Sequence, residues 1–216
     1  MAQHGEVLAS LRGVHKHYGA VCALDGVDLQ LHAGQVLALL GPNGAGKTTA
    51  IGLLLGLLRA DAGQVQLFGQ HPQQLAARRG IGVMLQAAEL PDTLSVAELI
   101  RLAASYYPAP RSLAETAALA GAEELSSGVQ KELDPNVLTA IQDEPSVGLD
   151  LPARQQLWAS VRQLVGEGAA VVLTTHYLEE AERLADRVCV LLRGRIVSDG
   201  SVDALRARVV QRRIRC

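Results

Sequence analysis

An α/β fold interrupted by a helical insertion is what this sequence predicts, and three observations predict it. Apolar runs of strand length alternate with helix-length segments up to about residue 90 and again from 138 to 216, the texture of a largely parallel sheet. A glycine-rich segment, GPNGAGKTT at Gly41–Thr49, stands between the apolar runs Val36–Leu40 and Ala50–Leu54. Between about 91 and 137 helical periodicity takes over and no convincing strand remains. The 216 residues suffice for one domain carrying a sizeable insertion, and 49% hydrophobic against 19% charged residues describe a globular chain with a substantial core.

Val7–Leu11 reads as a first short strand, followed by a polar turn over His15–Ala20 that carries one aromatic, Tyr18. Val27–Leu31 alternates apolar and polar residues, the pattern of a half-buried strand. His32-Ala33-Gly34 turns the chain into Gln35–Leu40, whose unbroken apolar run predicts a central strand buried on both faces. A helix is expected from Lys47 to about Leu58, by length and apolar density. Asp61-Ala62-Gly63 leads into a strand over Gln64–Phe68, with Gly69 closing a hairpin-like arm, and Gln73–Arg79 reads as a short helix. Gly80–Leu85 is predicted as another buried strand, ending at Gln86.

The insertion opens with a capping box, Ser95-x-x-Glu98, ahead of an apolar helix face made by Val96, Leu99, Ile100, Leu102 and Ala103. Pro108-Ala109-Pro110 breaks that helix, and the alanine-rich Ser112–Leu125 forms the next. Strand returns at Leu138–Gln142, leading into Asp143-Glu144-Pro145. Leu151–Val165 is helical, with Leu157, Trp158, Val161 and Leu164 on a core-facing side. Ala169–Leu173 is a buried strand with Thr174-Thr175-His176 at its exit, Tyr177–Ala185 a charged helix, and Arg187–Leu192 with Arg195–Val197 a hairpin around Arg193-Gly194. The arginines from Arg206 onward form a solvated segment, or a surface for anionic lipid or rRNA. The domains expected are a core of residues 1–90 and 138–216 and an inserted helical subdomain at 91–137.

Gly41-x4-Gly46-Lys47-Thr48 is the P-loop pattern, in the strand–loop–helix context that gives it meaning. Gly41, Gly44 and Gly46 carry no Cβ, so the backbone can curl with its N–H groups inward. Those groups and the positive end of the following helix make an anion cradle suited to phosphates. Lys47 is placed to reach the β- and γ-phosphates, and the Thr48 hydroxyl to ligate Mg²⁺. A nucleoside triphosphate is the predicted ligand.

Further candidates sit where open α/β sheets bind ligands, at the exits of parallel strands. Asp143-Glu144 after an apolar strand is a Walker B arrangement: the first acid holds Mg²⁺ through water, the second activates a nucleophile. The competing reading is two solvated acids, and Gln142 stands where an apolar residue is expected. Gln86 orients a water or touches Mg²⁺, or is simply a loop glutamine. His176 contacts a γ-phosphate or is structural. Tyr18 stacks on a flat base or is a surface tyrosine.

Composition excludes several classes. A net charge of −2 gives no overall field for nucleic acid. No apolar run reaches the ~20 residues of a membrane span; Ile51–Leu58 is too short. Met1–Glu6 has no basic stretch before an apolar one, so a secretory signal is not expected. Cys22, Cys189 and Cys216 are odd in number and scattered, which predicts reduced thiols, no disulfide, no structural metal and a cytoplasmic location.

Tyr18, GPNGAGKTT, Gln86, QDEP (142–145), SVGLD (146–150) and TTH (174–176) occur in one order with consistent spacing. Together they resemble the ATP-binding subunit of ABC transporters over nearly the whole chain. GVMLQ, SVAELIRLAASYY, DEPSVGLD and TTHYLEEAERLADRV are most similar to the ATPases of drug- or antibiotic-export systems, whose membrane subunit is a separate chain. The resemblance implies a RecA-like P-loop NTPase core with a mixed sheet and an N-terminal antiparallel β arm, plus the inserted helical subdomain. It also implies roles. Tyr18 stacks on adenine. Gly41, Pro42, Asn43, Gly44, Ala45, Gly46, Lys47, Thr48 and Thr49 hold the phosphates and Mg²⁺. Gln86 senses Mg²⁺ and the attacking water, Asp143 supports Mg²⁺, Glu144 polarises the water, and His176 clamps the γ-phosphate. Ser127, Gly128, Gln130 and Asp150 face a second ATPase subunit. Two copies sandwich two ATP molecules and drive a transmembrane permease, at the inner face of the plasma membrane, in export of a small molecule.

One region departs from the pattern. The family's Leu-Ser-Gly-Gly-Gln signature is met here only by Ser126-Ser127-Gly128-Val129-Gln130. Val129 puts a β-branched side chain where backbone must approach phosphate. Residues 131–137 are also too few for the helix that usually follows, about 11 residues plus a loop, and Lys131 and Glu132 replace the usual arginines. A second reading follows: a hydrolysis-deficient ATP-binding regulatory or structural partner. A P-loop small-molecule kinase is disfavoured, because DEPSVGLD and TTH have no role in one.

Overall fold

The computed structural model describes residues 5–84, 93–107, 109–119, 138–143, 151–175 and 178–206. Two sheets organise the chain. The first is an antiparallel arm of order β2-β1-β4, made of β1 (Val7–Tyr18), β2 (Val21–His32) and β4 (Ala62–Leu67). Its inward side chains, Leu8, Leu11, Leu24, Leu29 and Leu31, are at most 2% exposed. The second sheet has the order β5-β6-β7-β3-β8-β9, from β5 (Ile81–Met84), β6 (Leu138–Asp143), β7 (Ala170–Thr175), β3 (Val36–Leu40), β8 (Arg187–Leu192) and β9 (Arg195–Gly200). Its strands run parallel except β9, which closes the edge as a hairpin with β8.

β3 shows why its sequence is apolar without alternation. Leu37 and Leu39 pack with the arm and with α1 (Lys47–Leu54), while Val36 packs with Val161 of α5 (Leu151–Gly166) and Leu184 of α6 (Leu178–Leu184). Ala38 meets Ala181 and Ala185 on that same side. Both faces of the strand are covered, as in any doubly wound sheet.

Three expectations are corrected. The polar turn expected over His15–Ala20 is strand as far as Tyr18, and the turn is Gly19-Ala20 alone. Pairing with β2 continues through His17↔Cys22 and Tyr18↔Val21, where little is buried and hydrophobic periodicity therefore carries no signal. The strand after Gly80 is only partly buried: among the described residues it lies at the edge of its sheet, with Ile81 in the core and Val83 45% exposed. The helix expected to reach Leu58 stops at Leu54. There Gly56 adopts φ +69°, the Gly56 and Leu57 amides turn back to the carbonyls of Leu53 and Gly52 (3.1 and 2.9 Å), and a Schellman cap ends the helix.

In the inserted stretch α3 (Val96–Ala104) begins at the expected capping box: the Glu98 carboxylate accepts from the Ser95 backbone N–H at 2.9 Å, and Ser95 Oγ accepts from the Glu98 N–H. The start of α4 (Leu113–Leu119) repeats the device with Ser112 and Glu115, which the sequence reading passed over. Neighbouring β5 and β6 are separated in sequence by α3 and α4, and Tyr107 just after α3 donates its hydroxyl to the Ile81 carbonyl of β5 at 2.8 Å. A short α2 (Leu75–Arg78) lies between β4 and β5.

Candidate functional site

The sheet order makes β3 a switch point. Its neighbours β7 and β8 both come from the end of the chain, and β5–β6–β7 fan out to one side. Ligands bind open α/β sheets at the carboxyl ends of strands at such points. The register aligns those ends: Leu40 lies beside Thr175, Asp143 beside Thr174, and Met84 beside Gln142. The strand ends at Leu40, Met84, Asp143 and Thr175 thus lie along one edge of the sheet.

The P-loop leaves β3 at Gly41, turns with Ala45 donating to the Pro42 carbonyl at 3.1 Å, and enters α1 at Lys47. Gly46 is the N-cap residue with φ +107°, a conformation that costs an L side chain. No side chain caps this helix, and its first turn holds no acid. The N-terminal amides of α1 therefore open onto the loop's concave side with the positive end of the helix dipole. Lys47 is 7% exposed and curls back along the loop, donating its ammonium to the carbonyls of Gly41 (2.7 Å) and Pro42 (3.2 Å). Among the described residues no carboxylate reaches it. A buried ammonium without a counter-charge among the described residues, beside an uncapped helix start, fits a polyanion such as a triphosphate.

The loop is held from outside by parts the sequence reading did not single out. Gly194, in the β8–β9 turn, donates to the Ala45 carbonyl at 3.0 Å and accepts from the Asp25 amide at 2.8 Å. A Cβ on Gly41 would stand 2.3 Å from the Leu191 carbonyl oxygen, and one on Gly46 2.4 Å from that of Ala23. Arg193-Gly194 announced a turn in the sequence; nothing there announced what the turn touches.

The predicted residues fall into three groups. Gly41–Thr49 form one continuous loop and helix start, with Ala45 buried and Pro42, Asn43, Gly44 and Thr48 exposed. Tyr18 is 48% exposed at the tip of the β1–β2 hairpin, and that hairpin is joined to the P-loop through Asp25 and Gly194. Asp143 ends β6 in the register given above. Gln86, Glu144, His176, Ser127, Gly128, Val129, Gln130 and Asp150 lie outside the described residues.

A strand–loop–helix phosphate cradle at the switch point of a mixed sheet defines a P-loop NTPase. The ABC transporter family profile matches residues 24–165. The chain is 38% identical, over 217 residues, to the Nod factor export ATP-binding protein I of Burkholderia orbicola (strain AU 1054), covering 90% of this chain and 71% of that protein. It is 39% identical over 222 residues to the daunorubicin resistance ATP-binding protein DrrA3 of Streptomyces coeruleorubidus, covering 90% and 68%. A solved ATP-binding subunit of an ABC transporter superposes with a TM-score of 0.79 at 28% identity, covering 94% of this chain and 93% of that one. This chain belongs to the ABC transporter family, as an ATP-binding subunit and an ATPase. Among the described residues no helix is long and apolar enough to cross a membrane.

Proposed function

We propose that this ATPase powers export of a small molecule through a separate membrane permease, docked at the inner face of the plasma membrane as a pair of copies. The observation that carries the ATPase part is Lys47: a buried ammonium with only carbonyl partners among the described residues, at the uncapped start of α1. The relatives named for export of Nod factor and for daunorubicin resistance support the direction of transport. The proposed division has the core of residues 1–90 and 138–216 carry the nucleotide, with the inserted 91–137 facing the permease and the second copy.

In the proposed reaction water attacks the γ-phosphate in line, and the ADP β-phosphate oxygen leaves. Lys47 and the loop amides bind the phosphates and neutralise the charge that builds on them. Glu144 orients and polarises the water, Gln86 assists in placing it, and His176 holds the γ-phosphate. Thr48 and Asp143 offer the hard oxygen donors that suit Mg²⁺, which when bound supplies electrostatic stabilisation of the phosphate oxygens. Ser127, Gly128, Gln130 and Asp150 are assigned to contact with the second copy.

The test is Mg²⁺-dependent ATP hydrolysis by the purified chain with Glu144→Gln alongside. Turnover should disappear in the variant while ATP binding persists, and ATP should drive Glu144→Gln into dimers seen by light scattering. Turnover that survives Glu144→Gln would refute the assignment of the base. In its own cells the chain should sediment with membranes and be released by alkaline carbonate; recovery only in the soluble fraction would refute the permease.

A further inference from the structure

The hairpin tip that carries Tyr18 projects beyond the strand that should brace it. β1 pairs with β4 only as far as His15↔Ala62, so Lys16, His17 and Tyr18 have β2 on one side and, among the described residues, no strand on the other. The ladder to β2 is also irregular here, with a register shift between Lys16 and His17. Bulged, one-sided hairpin tips are poorly determined by their own backbone bonds.

Asp61, in the turn before β4, takes the place of the missing strand. Its amide donates to the His15 carbonyl at 2.9 Å. One carboxylate oxygen accepts from the His17 amide at 2.6 Å and lies 3.4 Å from His17 Nδ1. The other accepts from Lys16 Nζ at 2.9 Å. The hydrogen bond from Lys16, followed by that from the His17 amide, holds the Asp61 carboxyl below its ordinary range. Lys16, with a side chain only 16% exposed, then places its ammonium 5.6 Å from the centre of the Tyr18 ring. Residues two apart share a strand face, so the lysine lies along one face of the phenol.

We infer that Asp61 and Lys16 are positioning residues for nucleobase binding: Asp61 fixes Lys16, and Lys16 covers one face of Tyr18 and holds the ring so that its other face receives the base. This rests on the proposed stacking role of Tyr18. Exposed ion pairs contribute little to stability, so a purely structural Lys16–Asp61 pair would leave nucleotide selectivity alone. A positioning pair changes affinity for the part of the ligand that stacks and for no other part.

That difference gives the test. The affinities of the purified chain for ATP and for inorganic tripolyphosphate are measured by calorimetry for the wild type, Tyr18→Ala, Asp61→Asn, Lys16→Met and Lys16→Arg. Tyr18→Ala should weaken ATP about tenfold or more and leave tripolyphosphate unchanged. Asp61→Asn, which keeps an oxygen for the His17 amide, and Lys16→Met should each weaken ATP about twofold to fivefold, again without touching tripolyphosphate. Lys16→Arg should restore ATP affinity, and in turnover Asp61→Asn and Lys16→Met should raise KM while kcat holds. If Tyr18→Ala acts on ATP alone but Asp61→Asn and Lys16→Met behave as wild type, the positioning role is refuted and the stacking role stands. If Tyr18→Ala leaves the ATP-to-tripolyphosphate ratio unchanged, the stacking role itself falls, and this inference with it. Equal weakening of both ligands by Asp61→Asn would assign the residue to the fold and refute the inference.

Discussion

Lys47→Met separates stability from binding, because the lysine's desolvation is nearly offset within the fold while ATP depends on its charge. In the free protein Lys47 is 7% exposed and its ammonium has the carbonyls of Gly41 and Pro42 as partners. Desolvating such a cation costs several kcal/mol, and two hydrogen bonds to a charged donor return about 1.5–3 kcal/mol each. The two nearly cancel, and methionine keeps the apolar stem. The ligand-free variant should therefore melt within about 4 °C of the wild type, taking ~2–4 °C per kcal/mol for a chain of this size. ATP at 100 times its Kd adds about 2.7 kcal/mol to the wild type, or ~5–11 °C. If losing the ammonium weakens ATP about 100-fold, the same ATP concentration equals the variant's Kd and adds only ~0.4 kcal/mol, a shift of ~1–2 °C. The assay is thermal unfolding followed by Trp158, the single tryptophan, with and without ATP. A variant that keeps more than half of the ATP-induced shift would refute Lys47 as the phosphate ligand. A ligand-free melting point lowered by more than ~8 °C would refute the energy balance drawn from its partners.

Other parts of the structure give sharper local outcomes. Gly46→Ala combines a left-handed residue, about 1–2 kcal/mol, with a Cβ 2.4 Å from the Ala23 carbonyl, which as overpacking adds about 1–3 kcal/mol; a urea-unfolding loss under ~1 kcal/mol would contradict this. Cys189, buried in the β8 core, has its thiol pushed up to about 12, chiefly by burial. Maleimide at pH 8 followed by peptide mapping should label exposed Cys22 and spare Cys189 until the chain is denatured. Burial pushes the Asp199 carboxyl up, but hydrogen bonds from Arg187 and Cys189, with the Arg187 charge, leave it below its ordinary value. Its stabilising contribution is therefore complete above the ordinary carboxylate range and fades as pH falls through the lowered value. With Asp199 34% exposed, Asp199→Asn should cost no more than ~1 kcal/mol at pH 7, and equilibrium unfolding should show the deficit shrinking towards pH 2; a deficit that grows on acidification would contradict the sign.

How legible these features were depended on how local their causes are. β3 was legible because a strand buried on both faces leaves an unbroken apolar run, and α3 because a capping box is written within four residues. The tip of β1 was not, since Lys16 and His17 are held by a carboxylate some 45 positions away in sequence. Edge position was equally silent: Gly80–Leu85 reads as buried from composition, whereas β5 stands last in its sheet with Ile81 buried and Val83 exposed. The end of α1 was written locally, in Gly56, but apolar residues on both sides of that glycine hid it.

The P-loop is the extreme case of a motif that is read for one reason and required for several. By their place in the motif its glycines serve the phosphates, yet two of them are demanded by the protein as well. Gly41 admits the Leu191 carbonyl and Gly46 admits that of Ala23, so β8 and β2 both press against the loop from the side away from the cradle. Gly194 fastens the same wall by bonding Ala45 on one side and Asp25 on the other. The loop is thus braced into its curl by the sheet and the arm before any ligand arrives, which spares binding the cost of ordering it. The same brace reaches the nucleobase end, because Asp25 belongs to the hairpin whose tip bears Tyr18 and also accepts from the Arg195 guanidinium. A change in Gly194 should therefore disturb phosphate and base affinity together, whereas a change in Asp61 should disturb the base alone.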